Sequence, residues 1–181
     1  MNPGYRLIVA SLLLVLLGLA SIWSPTLEPA WKLYGAVLVA IALLDLWRLR
    51  SRATPLVSRE LRTSMPVGVW SWVGLQIENA GDQNLQLKVH DHHPGDFEIE
   101  GMPQAISLPA QRQARVHYRV KPRQRGDREF AGVDLVLRST LGLWWQKRFL
   151  PLPERAQVFP NFREIAHFAP VSYTHLTLPT T

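Results

Sequence analysis

The chain has 181 residues, room for one domain and an appendage, and it carries 20 Lys and Arg against 14 Asp and Glu, a formal net charge of +6. It has no cysteine, which excludes disulfides and thiolate zinc sites. The charge would suit a nucleic-acid binder, but its distribution argues for a membrane. Arg48, Arg50, Arg52, Arg59 and Arg62 come directly after an apolar segment and are opposed nearby only by Asp45 and Glu60, where a membrane protein carries its orientation signal.

Leu7 to Trp23 is an uncharged run near the lower end of the roughly 17–25 residues needed to cross a bilayer. Arg6 would also suit the start of a signal peptide, but no Ala-x-Ala-like site comes after it and Ser24-Pro25 is a poor cleavage context. A second run, Leu33 to Leu44, becomes long enough when extended from Pro29 to Trp47, with Lys32 and Asp45 at its ends. Trp23, Trp31, Tyr34 and Trp47 fall near the expected interfaces, and a short turn with Pro25 and Pro29 joins the runs. The pattern predicts a transmembrane hairpin over residues 1–50, with helices at about 7–23 and 31–47. Arg48, Arg50 and Arg52 place the next domain on the cytoplasmic side, giving an N-in, C-in topology. Asp45 lies one turn before Arg48 and is read as its i, i+3 partner.

Residues 51–62 read as a basic cytoplasmic linker, and from Leu56 onward continuous apolar sequence gives way to alternation. Val73, Leu75 and Ile77 share one face of a strand. Asn79 to Asn84 is a turn cluster, and Leu85 to Asp91 alternates again. Phe97–Ile99, Ala114–Val120, Phe130–Leu137, Trp144–Leu150 and Ala156–Phe159 complete about seven short strands, the count of a β-sandwich of about 100 residues. The domain is placed at 63–162. The turn Asn79-Ala80-Gly81 after an apolar strand suggests an immunoglobulin-like module, a fold-level analogy. Its expected core is Val73, Leu75, Ile77, Leu87, Val89, Val116, Tyr118, Val120, Val133, Leu135 and Leu137.

His90, Asp91, His92, His93 and Asp96 are a cluster of possible metal ligands, with His90 and His92 on one strand face. They sit at a strand end beside Pro94-Gly95, where exposed polar residues are expected, and no second half of a site is visible. His90, His92 and Asp96 are the candidates should a metal bind. Ser71, Ser107 and Ser139 lack a nucleophile elbow, and there is no phosphate loop. Arg125-Gly126-Asp127 reads as a turn in which Gly126 takes a positive φ. Trp70 with Trp72, and Trp144 with Trp145, are expected to bury one member of each pair and offer the other to a partner or the membrane interface.

Arg125-Gly126, Leu141-Gly142-Leu143-Trp144 and Val158-Phe159-Pro160, in that order behind an apolar hairpin, carry a resemblance. So do Asn79 after a strand and Asp91 with Pro94. With these residues the chain resembles the domain of unknown function 58 family, although phenylalanine replaces the family's usual tyrosine at Phe159. The resemblance covers most of Met1 to about Pro170. It implies a bacterial inner-membrane, multi-pass protein with a two-helix hairpin and a β-rich cytoplasmic region. It also implies a further von Willebrand factor A-like domain and work beside a MoxR-type AAA+ ATPase and transglutaminase-like membrane proteins. Val171 to Thr181 (VSYTHLTLPTT) looks like translated adapter from tagmentation sequencing libraries. The chain is therefore read as an N-terminal fragment whose linker, 163–170, is cut short before that further domain.

The function expected is that of a non-enzymatic, membrane-anchored accessory or scaffold protein, with lipid bilayer, ATPase and transglutaminase-like protein as partners and no cofactor. The alternatives are a metal-dependent hydrolase using the His90–Asp96 cluster and a nucleic-acid binder using the arginines after Arg48.

Overall fold

A computed structural model describes residues 1–160. The linker and adapter readings at 163–181 lie outside these residues.

A two-residue strand β1 (Asn2–Pro3) leads into helix α1 (Tyr5–Ser21), a 3-10 turn at Pro25–Leu27 and helix α2 (Glu28–Arg50). At about 1.5 Å per residue α1 is roughly 26 Å long and α2 roughly 35 Å. Pro29 in the first turn of α2 needs no backbone N–H there, and Glu28 is well placed for the helix dipole. The helices run back along each other: the Tyr34 hydroxyl donates to the Ala10 carbonyl at 3.2 Å, and Gly35 faces the Leu14 side chain. Pro25–Arg50 is long and apolar enough to cross a membrane, while α1 is apolar but shorter. None of the residues of α1 is buried in the protein, and Leu12, Leu13, Leu16, Leu17 and Leu19 face outward.

The remaining strands are β2 (Leu56–Glu60), β3 (Ser64–Pro66), β4 (Ser71–Glu78), β5 (Leu85–His92), β6 (Phe97–Glu100), β7 (Gln104–Leu108), β8 (Gln113–Pro122), β9 (Gly126–Arg138) and β10 (Trp144–Phe159). They form two sheets. One runs β1-β10-β9-β5-β7, with β3 parallel to β10, and the other β2-β4-β8-β6. Every other pairing is antiparallel. Alternation turns Val73, Leu75, Ile77, Val116, Tyr118 and Val120 of one sheet toward Leu87, Val89, Val133, Leu135 and Leu137 of the other, and each is at most 2% exposed. The all-β sandwich and its core obey the period-2 pattern.

Several boundaries differ from the sequence reading. Residues 51–62 are not all linker, because Leu56–Glu60 pairs with β4 and Arg59 is buried. The sandwich therefore starts at Leu56. The second helix runs past Trp47 to Arg50, which places Arg48 and Arg50 on the helix itself and Leu49 in the sandwich core. Trp144–Leu150 and Ala156–Phe159 are one strand, whose pairing with β9 shifts register between Pro151 and Glu154. A proline lacks a ladder donor, so Pro151 and Pro153 read as a stop where the strand passes through a bulge. Gly126 has φ +123° as expected, but it opens β9 opposite Val158 and is not the middle of a turn.

Candidate functional site

The segment Leu141-Gly142-Leu143-Trp144 is the loop between β9 and β10, and it lies against the helices. Gly142 N–H donates to the Ser139 carbonyl at 3.0 Å, and Gly142 then takes φ +72°, a left-handed conformation that favours glycine. The Ser139 hydroxyl accepts from Trp144 N–H at 3.0 Å and closes the loop. The loop thus presents Leu141 and Trp144 to α2. The Trp144 indole N–H donates to the Ala42 carbonyl at 2.9 Å, and Leu141 N–H donates to Asp45 Oδ1 at 3.2 Å.

The chain's first residues grip the same loop. Asn2 and Pro3 pair with Trp145 and Trp144, Gly4 N–H donates to the Leu143 carbonyl at 2.7 Å, and the Arg6 guanidinium donates to the Leu141 carbonyl at 3.1 Å. A Cβ on Gly4 would stand 2.2 Å from the Gly142 carbonyl oxygen, so only glycine allows this approach. Both helices are therefore fastened to one hairpin loop of the sandwich.

Two arginines complete the junction. Arg52 donates to Gln83 Oε1, the Arg138 carbonyl and Thr140 Oγ1. Arg148 donates to the Leu49 and Arg52 carbonyls, Thr54 Oγ1 and Gln146 Oε1. Every one of these acceptors is neutral. Burial lowers both guanidinium pKa values from the ordinary range; at Arg52 the Asp45 charge offsets this and Arg148 adds to it.

Asp45 itself is 2% exposed. It is not the partner of Arg48, because its side chain turns into the junction toward Leu141, and its Oδ2 has no hydrogen-bond partner among the described residues.

A second polar group lies inside the sandwich. Arg59 on β2 donates to both oxygens of Asp91 on β5, from Nη2 at 2.6 Å and Nε at 3.0 Å, and to the Leu152 carbonyl on β10 at 2.8 Å. The Tyr118 hydroxyl on β8 donates to Asp91 Oδ2, and Arg59 also lies 5.0 Å from the centre of the Phe130 ring. Burial, with the Asp91 charge and hydrogen bond, pushes the Tyr118 phenol far above its ordinary value, so it stays a donor. Arg59 is thus a cross-link between the two sheets. Reading it as one of a run of topological arginines misses this, and Asp91 before Pro94 is the available signal.

The His90–Asp96 cluster is dispersed among separate partners. Asp91 serves Arg59, His92 Nε2 meets Asp134 at 2.6 Å, His93 Nδ1 faces the Pro94 carbonyl at 2.8 Å, and Asp96 accepts from Arg128 at 2.7 Å. His90 and His92 do share the outer face of β5, with ring centres 5.7 Å apart. No group of three or more ligand-type side chains suited to a metal occurs among the described residues.

The tryptophans depart from the expected alternation. Trp70 and Trp72 are both exposed on one face, being two residues apart, and Arg119 lies about 5.6 and 5.5 Å from their rings. Trp144 and Trp145 are both half-buried, one at the junction and the other under Arg138. Asn79 is buried and binds the β4–β5 turn to the β7–β8 turn, donating to the Gln83 and Pro109 carbonyls and accepting from Gly81 N–H.

No protein-family model and no curated protein matches the chain. Among solved structures, the chain is similar over 60% of its length to native alpha-2-macroglobulin from Escherichia coli, spanning domain MG7 to the C-terminus, with 19% identity and a TM-score of 0.48. It is likewise similar over 60% to Salmonella alpha-2-macroglobulin reacted with methylamine, with 17% identity and a TM-score of 0.45. A FixG-related protein from Vibrio parahaemolyticus matches over 58% of this chain and 94% of its own, with 10% identity and a TM-score of 0.37. The chain spans only 17% and 7% of the two macroglobulin chains.

Proposed function

We propose that this chain is a non-enzymatic, membrane-anchored accessory protein in which α1 and α2 cross the bacterial inner membrane as a hairpin and hold the sandwich on the cytoplasmic face. One observation carries the reading: the β9–β10 loop is fastened to both α2 and the residues just before α1. An anchor joined through a free linker would let the domain tumble. This one fixes which face of the sandwich meets the bilayer. The outward leucines of α1 and the length of α2 suit a lipid surround, and the arginines at the α2 end suit the cytoplasmic side. The sandwich would then position a partner or a further domain, and the resemblance names a MoxR-type AAA+ ATPase and a transglutaminase-like protein as the partners to seek.

Topology is the test. Reporter fusions after Arg62 and within the turn at 24–27 are expected to be active in the cytoplasm and the periplasm respectively. A fusion after Arg62 active only in the periplasm would sink the assignment. For the partner, the purified ATPase should be retained on the detergent-solubilised chain and lost from a helix-only fragment of residues 1–52. Equal retention on both would remove the sandwich from the partner's site.

A further inference from the structure

The arginines of the molecule fall into two sets. Away from the helices most meet a carboxylate: Arg59 with Asp91, Arg119 with Glu100, and Arg128 with Asp96. The exceptions there among the described residues, Arg62, Arg112 and Arg125, stand on exposed loops. Around the helix end, Arg6, Arg48, Arg50, Arg52, Arg138 and Arg148 form no ion pair with a carboxylate among the described residues. Arg52 and Arg148 are half-buried as well, so water screens their charge poorly.

A cleft of ≈ 430 Å³ opens among them, between the last turn of α2 and the β4–β5 turn, lined by Trp47, Arg48, Arg52, Asn79, Asp82 and Gln83 among others. Its volume falls within the roughly 300–1,000 Å³ of small-molecule sites. Arg48 in the last turn of α2 and Arg52, two residues past the helix end, both line the cleft. Arg52 is held from behind by Gln83 and Thr140, while Arg48 is exposed and makes no hydrogen bond among the described residues. The carbonyls at this helix end would repel an anion, but Arg148 covers Leu49 O and Ser51 covers Trp47 O.

Resting on the membrane-anchor reading, we propose that this cleft binds the phosphate of an anionic phospholipid headgroup, with Arg48 and Arg52 as its ligands. The lipid source is chosen by the surroundings of the cleft. Trp47 is 66% exposed, as an interfacial anchor would be. Leu43 and Leu44, one turn before Trp47 and Arg48, are outward-facing too and give acyl chains an apolar track leading from the cleft. Asp82 is the carboxylate lining the cleft, and Asp45 acts on Arg52 only through space. These two do not balance the six arginines at this end.

Native mass spectrometry of the full chain in neutral detergent, with phosphatidylglycerol and phosphatidylcholine in equal amounts, tests the site. Phosphatidylglycerol adducts are expected to dominate, and Arg48→Gln to weaken them about five-fold, while Arg115→Gln on the outer sheet face leaves them unchanged. Equal retention of the two lipids, or an unchanged Arg48→Gln variant, would overturn the site. Inorganic phosphate in excess is expected to compete poorly; displacement at stoichiometric amounts would assign the cleft to a soluble phosphate ligand and overturn the lipid assignment. Carbonate extraction of membranes keeps the two readings apart. A chain that resists extraction yet shows no lipid preference loses the headgroup site alone, and a chain that is extracted loses the anchor.

Discussion

In the middle of the sandwich Arg59 is walled in and matched on both carboxylate oxygens of Asp91, whereas at the helix end Arg52 and Arg148 are half-buried and meet only neutral acceptors. The two regions bury the same kind of side chain for different ends. Inside, a guanidinium must be neutralised because nothing outside can reach it. At the junction the charge is left over, and under the proposed membrane anchoring a lipid surface supplies its counterpart. The first arrangement fixes how the sheets pack. The second fixes how the packed domain sits on its helices.

The largest effect expected comes from breaking the inner pair. Asp91→Ala would leave a fully buried arginine and the Tyr118 hydroxyl without their acceptor, at a cost of about 3–5 kcal/mol. Loss of the cooperative thermal transition is the expected reading. An Arg59→Met, Asp91→Leu double variant should recover much of it, since two apolar side chains leave no orphan charge. If the single and double variants melt alike, charge burial is not what the pair is about.

Next in size is the junction. Gly4→Ala forces a Cβ onto the Gly142 carbonyl and should cost about 1–3 kcal/mol, local to the N-terminal strand. The expected sign is proteolytic release of residues 1–4 from β10 with the sandwich transition retained. Gly18→Ala, whose Cβ meets nothing within 4 Å, should leave both unchanged.

The smallest effect is on pH. Burial would raise the Asp134 carboxyl, but hydrogen bonds from Lys147 and His92, with their charges, outweigh it and hold the group below its ordinary value. Its contribution to stability is therefore present above the unfolded value of about 3.9 and is lost as pH falls through the lower folded value. Asp134→Asn should remove that contribution at neutral pH and leave the acid extreme little changed, so the acid side of the stability profile flattens. An unaltered acid limb would show that Lys147 and His92 do not hold the carboxylate in solution.

How far these features can be read from the chain differs by region. Strands with strict alternation, such as Val116, Tyr118 and Val120 on β8, declare their buried face because one period describes both residue type and burial. The long apolar run of α2 declares itself in the same way. Arg59 does not, since its burial depends on Asp91, a partner 32 residues away on the opposite sheet. The pairing of β3 with β10 is parallel and joins segments some 90 residues apart, which no local pattern encodes. The Leu-Gly-Leu-Trp break is visible as a turn, but only tertiary packing shows that its Trp144 and Leu141 seize α2.

This loop clamps the helices to the sandwich, and amide hydrogen exchange of the full chain in lipid nanodiscs probes the clamp at its own hydrogen bonds. The Gly4 and Leu141 amides, which donate to Leu143 and Asp45, should exchange as slowly as amides of β9, although both lie outside the sheets' paired strands. Exchange of both at the rate of an open surface loop would contradict the clamp and leave the sandwich free to move against its helices.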